Sequence, residues 1–199
     1  MQVMKKSLKA FFYSFWEVAE AVIVAFAVVF IVRSYIAQPF LVSGASMEPT
    51  FSSGDYLLAD ELTYHIREPK RGEVAVFRYP RNDRVYFIKR IIGLPGEQVV
   101  ISGGSVTIFN YANPDGLTLR EKYIWPGNTA GEIDTILGAD QYFVLGDNRN
   151  FSFDSRSWGG VYRDDIVGVV RVRLWPLHSV MAFTQPQYYP ILAPESTGY

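Results

Sequence analysis

Arg84-Val85-Tyr86-Phe87-Ile88-Lys89-Arg90-Ile91-Ile92-Gly93-Leu94-Pro95-Gly96 is a β-branched and aromatic run closed by a tight turn. Such residues suit a pleated, half-buried surface, so the run reads as a strand. Alternation puts Phe87, Lys89 and Ile91 on one face, and Ile88, Arg90 and Ile92 on the other. Each face therefore carries one cation among apolar neighbours. A lysine in that setting either snorkels to water or is buried. Burial disfavours its charged form and lowers its pKa. A neutral lysine can take a proton from a hydroxyl, whereas an arginine stays protonated. Lys89, rather than Arg90, is the candidate base.

The same texture extends outward. Glu73–Tyr79, Gln98–Ile101, Ser105–Phe109, Gln141–Leu145 and Ile166–Leu174 are short runs rich in Val, Ile, Phe and Tyr. Turn residues, such as Ser102-Gly103-Gly104, separate them. The chain from residue 36 to 184 is expected to be a mainly β, antiparallel domain. Residues 110–140 have weaker periodicity and read as a small insertion, and Tyr162–Asp165 as one helical turn. Residues 185–199 hold three prolines and read as a loose tail.

Residues 1–35 differ. Lys5, Lys6 and Lys9 precede an aromatic cluster, and Ala21–Val32 has no polar side chain. From Phe11 to Val32 only Ser14, Glu17 and Glu20 interrupt. A helix needs roughly 20 residues to cross the hydrocarbon core. With aromatics at one interface and Arg33 snorkelling at the other, the segment is expected to be one transmembrane helix. The lysines place the N-terminus in the cytoplasm and the β domain outside. Tyr35 stands three residues before a cut after Ala37, where a small residue is wanted, so the segment reads as an uncleaved anchor. Glu17 and Glu20 share a helix face at the lysine-rich end and read as interfacial.

A net charge of −1 gives no electrostatic case for nucleic acid. The absence of cysteine excludes disulfides and a thiol nucleophile. Two histidines, His65 and His178, without a His-Glu-x-x-His pattern, argue against a metal site, and no cofactor is expected.

Two further segments carry chemistry. Gln38-Pro39-Phe40-Leu41-Val42-Ser43-Gly44-Ala45-Ser46-Met47-Glu48-Pro49-Thr50-Phe51 begins just past the anchor. Small Gly44 and Ala45 beside Ser46 let another backbone come close. By itself this serine is also compatible with a plain turn. Gly146-Asp147-Asn148-Arg149-Asn150-Phe151-Ser152-Phe153-Asp154-Ser155-Arg156-Ser157-Trp158-Gly159 follows an apolar strand. Its period-two Ser152, Asp154 and Arg156 share a face in extended chain, compatible with an ion pair near a hydroxyl or with a polar surface turn.

Taken in order behind an anchor, these segments resemble the bacterial type I signal peptidases, a family of Ser-Lys peptidases. Ser46-Met47-Glu48-Pro49-Thr50 is similar to the family's Ser-Met-x-Pro-Thr box. Arg71–Phe77, Tyr86–Arg90 with Gly93–Gly96, and Gly146–Arg149 with Asp154–Gly159 resemble three further boxes. The likeness runs from about Gln38 to Gly168. It implies Ser46 as nucleophile, Lys89 as general base, Ser152 holding the lysine amine, and Asp154 with Arg156 bracing that loop. The Ser46 amide would stabilise the oxyanion. Some members add a serine hydroxyl two positions before the nucleophile, where this chain has Gly44. Asn150 and Phe151 replace a polar Asp-Asn pair.

The implied reaction is acyl transfer, with exported preproteins as substrates. Two shallow pockets would accept small residues one and three positions before the cut, with Phe40, Val42, Met47, Phe51 and Ile88 lining that wall. Trp158 and Trp175 are candidates for lipid contact. A self-cleaving Ser-Lys repressor would carry a DNA-binding helical module in place of the apolar run. A membrane-tethered binding domain without catalysis would leave Ser46 and Lys89 far apart.

Overall fold

The computed structural model describes residues 15–30, 37–124 and 127–184. Two compact units divide the chain, Met1–Gln38 and Pro39–Tyr199. In the first, residues 15–30 form helix α1, and most of its large apolar side chains, from Phe15 to Phe30, are exposed. Among the described residues no helix is long and apolar enough to cross a membrane. Residues 11–14 and 31–32, which the expected span also needs, lie outside the described residues, as does the tail 185–199.

The second unit is built on antiparallel strands. In chain order these are β1 (Ala37–Leu41), β2 (Tyr56–Asp60), β3 (Val74–Tyr79), β4 (Asn82–Gly93), β5 (Gln98–Ser102), β6 (Ser105–Asn110), β7 (Asn113–Thr118), β8 (Ile133–Ile136), β9 (Gln141–Leu145), β10 (Val161–Tyr162), β11 (Ile166–Trp175) and β12 (Met181–Ala182). Short helices α2 (Leu62–Ile66) and α3 (Ser155–Trp158) join them. Arg163–Asp165 forms a single 3-10 turn, as its sequence suggests.

The main sheet runs β1-β2-β11-β3-β4-β9-β10, with β12 added against β11. Consecutive β2 and β3 therefore do not pair; β11 lies between them. The strands β5 to β8 form a separate four-stranded sheet, ordered β7-β6-β5-β8. The excursion from the main sheet thus starts at Gln98, earlier than the periodicity implied. β5 and β6 alternate as cleanly as the main strands. The drop in pattern begins only at β7, an edge strand carrying Pro114 and Gly116.

Strand alternation in β4 divides the core. Ile91 and Phe87 pack with Ala75, Phe77, Tyr142 and Val144. Ile88 packs on the cluster of Val42, Met47, Phe51, Leu57, Val74 and Val76. Ile92 faces the second sheet, with Val99, Ile101, Val106 and Phe143. Opposite Lys89, β3 carries the small Ala75, which leaves the lysine stem uncrowded.

Candidate active site

Ser46 sits in a turn between β1 and β2. The amide of Glu48 donates to the Ala45 carbonyl at 3.2 Å, and that of Phe51 to Met47 at 2.9 Å. Met47 and Phe51, four residues apart, are fully buried and pin the turn to the core. Gly44, just before it, has φ of +98°, a left-handed conformation that disfavours any side chain. This chain therefore places a backbone requirement where some Ser-Lys peptidases have a hydroxyl.

Lys89 projects from β4 and is 4% exposed. Its Nζ lies 2.6 Å from Ser46 Oγ and 3.0 Å from the Ile88 carbonyl oxygen. The Phe87 ring centroid is 5.5 Å away. Burial lowers the lysine pKa to about 8, partly opposed by the charges of Asp154 and Asp147. The pair thus joins a hydroxyl to an amine that is neutral in about a tenth of molecules at pH 7, far more than for an ordinary lysine.

The third segment ties nucleophile and base together. The Asn148 amide donates to the Ser46 carbonyl at 3.0 Å, and Asn148 Nδ2 to the Ala45 carbonyl at 3.1 Å. Asp147, fully buried, accepts from Arg90 Nε at 2.8 Å and from Thr50 Oγ1 at 2.5 Å. One carboxylate thereby links the lysine strand to the serine turn. Asp154 caps α3 and accepts from Arg156 Nε at 2.8 Å and from the Gly146 amide at 3.1 Å. Arg156 also donates to the Arg149 carbonyl at 2.6 Å, closing the loop on itself. Gly146 is needed for this approach. A Cβ there would lie 2.2 Å from Ser152 Oγ and 2.4 Å from the Ser46 carbonyl oxygen.

A cavity of about 500 Å3 opens over the pair, lined on one side by Phe40, Val42 and Gly44 and on the other by Tyr86, Ile88 and Phe153. The Phe40 and Tyr86 rings meet across it at 5.6 Å.

With this geometry in place the comparisons are decisive. The model of the family described as signal peptidase, peptidase S26, matches residues 15–175. The chain belongs to that family. A probable signal peptidase I-2 of Synechocystis sp. is 38% identical, covering 84% of this chain and 77% of its own length. A signal peptidase I of Leptolyngbya laminosa is 36% identical, with 79% and 78% covered. A signal peptidase I of Bacillus amyloliquefaciens is 30% identical, with 88% and 93% covered. A crystal structure of a signal peptidase I from Enterococcus faecalis V583 is 31% identical, covers 52% of this chain and 97% of that one, and has a TM-score of 0.44. Peptidase activity, expected from the sequence, follows from membership of the S26 family.

The sequence-derived residues of this S26 peptidase do not all fall together. Ser46 and Lys89 are in contact, and Asp154 and Arg156 form an ion pair. Ser152 is beside them, and its carbonyl accepts from Arg156 at 3.5 Å, but its hydroxyl bonds none of them. Its Oγ is buried with no hydrogen-bond partner among the described residues, so the contact to the lysine amine is not made here. The amine is turned to Ser46 and to the Ile88 carbonyl instead. Phe40, Val42 and Ile88 line the cavity, whereas Met47 and Phe51 do not. The family resemblance implies both for the wall, but the turn after Ser46 buries both in the core. Thr50, Asp147 and Asn148 have no assigned role in the sequence reading. Their linking role depends on contacts 97 residues apart for Thr50 and Asp147, which no local spacing reveals. A buried Arg90 was the available signal, because an arginine on an apolar face demands a carboxylate.

Proposed function

We propose that this chain is a membrane-bound serine endopeptidase that removes N-terminal signal peptides from exported preproteins. The observation that carries the reading is the 2.6 Å separation between Ser46 Oγ and a desolvated Lys89 Nζ. A purely binding domain had no need of that contact.

In the reaction, neutral Lys89 accepts the Ser46 proton as the hydroxyl oxygen attacks the scissile carbonyl. The protonated lysine passes that proton to the departing amine, which leaves as the N-terminus of the mature protein. Water, deprotonated by Lys89, then releases the signal peptide from the acyl-enzyme. The Ser46 amide serves the oxyanion, and Gly44 contributes no hydroxyl. Ser152 lies on the neighbouring loop, its hydroxyl turned against Gly146 and not bonded to the amine. Asp154 and Arg156 keep that loop in place. Phe40, Val42 and Ile88 form the wall that accepts small side chains. Helix α1, whose apolar side chains are exposed, supports an anchor in the cytoplasmic membrane, with the N-terminus inside and the β domain outside.

The test uses full-length protein in detergent with a labelled preprotein, beside Ser46→Ala and Lys89→Ala. The wild type releases mature protein and both variants are silent. Normal processing by either variant refutes the assignment.

A further inference from the structure

We propose that Phe151 and Phe153 form an apolar subsite that selects a large apolar or aromatic substrate side chain, at a position neighbouring the small residues at the cut. The proposal rests on the signal-peptide reading above and adds to it a second determinant of specificity.

The backbone makes the pair. Ser152 has φ −120° and ψ 126°, so it is extended and its neighbours project to the same side. Its own side chain turns inward, against Gly146. Phe151 and Phe153 both line the cavity that holds Ser46 and Lys89. Phe153 is 53% exposed, yet it is held edge-on by Trp158 at 4.7 Å, and Tyr79 stands at 6.1 Å. Phe151 is 78% exposed, and no ring among the described residues packs on it. The loop presenting them is fixed by the Asp154–Arg156 pair and by Arg149, which donates to the Gly146 carbonyl at 3.0 Å.

Single exposed apolar residues need no explanation. Here the exposed ones converge. Leu41, Val85 and Tyr86 are also large, exposed and on the rim of the same cavity. The first half of β4 leaves one edge open, because β9 pairs only with Arg90, Ile91 and Gly93. An extended substrate beside that edge turns alternate side chains to opposite walls. Small residues facing Val42 and Ile88 then leave the intervening side chain toward the phenylalanines. Two exposed phenyl rings gain from a side chain that removes their apolar surface from water.

The experiment uses full-length protein in detergent and peptides that keep small residues at the cut. Every other position from four before to three after it is set in turn to Ser, Leu and Phe. At one position Leu or Phe is preferred to Ser by about tenfold in kcat/KM, expressed mainly in KM. Phe151→Asn brings that ratio close to one, and Phe151→Leu restores most of it. Tyr111→Ser, on the exposed β6–β7 hairpin, keeps the ratio. Because Phe151 is so exposed, its replacement leaves the melting temperature in place, which separates lost selectivity from lost fold. A wild type that cleaves with no preference at any position overturns the subsite, as does a Phe151→Asn variant that retains the preference. A wild type that cleaves none of the peptides overturns the signal-peptide reading as well.

Discussion

Lys89→Met is expected to abolish cleavage and at the same time make the protein more stable at neutral pH. The folded-state pKa of Lys89 is about 8, against an ordinary value of 10.5. Below about pH 8 the lysine is protonated both folded and unfolded, and the folded state bears the cost of the buried charge. Between about 8 and 10.5 the unfolded chain binds the additional proton, so stability rises with pH across that window. The shift of 2.5 units, from 10.5 to 8, corresponds to about 3 kcal/mol. Methionine fills similar volume without charge but forfeits the hydrogen bond to Ser46, worth about 1 kcal/mol. The net gain at pH 7 is about 2 kcal/mol, a rise in Tm of roughly 4–8 °C for a chain of this size. The measurement is the difference in Tm between variant and wild type from pH 6 to 11, which cancels every other titrating group. The gain should be constant below pH 8 and shrink steadily as pH rises toward 10.5. A variant less stable than wild type at pH 7, or a gain independent of pH, refutes a desolvated lysine.

The same pKa fixes the activity profile. Wild-type kcat/KM should fall about tenfold per pH unit below pH 8, and a flat profile down to pH 5.5 excludes Lys89 as the base. Asp147→Asn removes a buried carboxylate charge from beside Arg90, which should cost about 3–5 kcal/mol in denaturant unfolding; a loss below 1 kcal/mol would show that the ion pair carries little. Gly146→Ala drives a methyl into Ser152 and the Ser46 carbonyl, so kcat should drop at least about a hundredfold while circular dichroism stays that of a β protein; unchanged kcat would mean that the two loops need not touch.

What the sequence made legible follows from the range of the forces involved. Strand β4 could be read because alternation is a local rule, and its division of Ile88 from Phe87 and Ile91 appears in separate core clusters. The family likeness made Ser46 and Lys89 a pair when neither segment alone did. Met47 and Phe51, implied for the wall by the resemblance alone, are core residues, because side-chain direction in an irregular turn follows no sequence period. The sequence reading expects only a small insertion at 110–140 and no second sheet, because β5 and β6 look like strands of the main sheet; only pairing partners distinguish them. Asp147 escaped notice because an ion pair between residues 57 apart leaves no periodic trace.

The insertion of β11 between β2 and β3 has a consequence for biosynthesis. The turn bearing Ser46 leads into one of those strands, and the other pairs directly with the strand of Lys89. The strand that separates them, β11, is made after both. A nascent chain still short of residue 166 lacks the strand that spaces β2 from β3, so assembly of hydroxyl and amine into one site is expected to wait for β11.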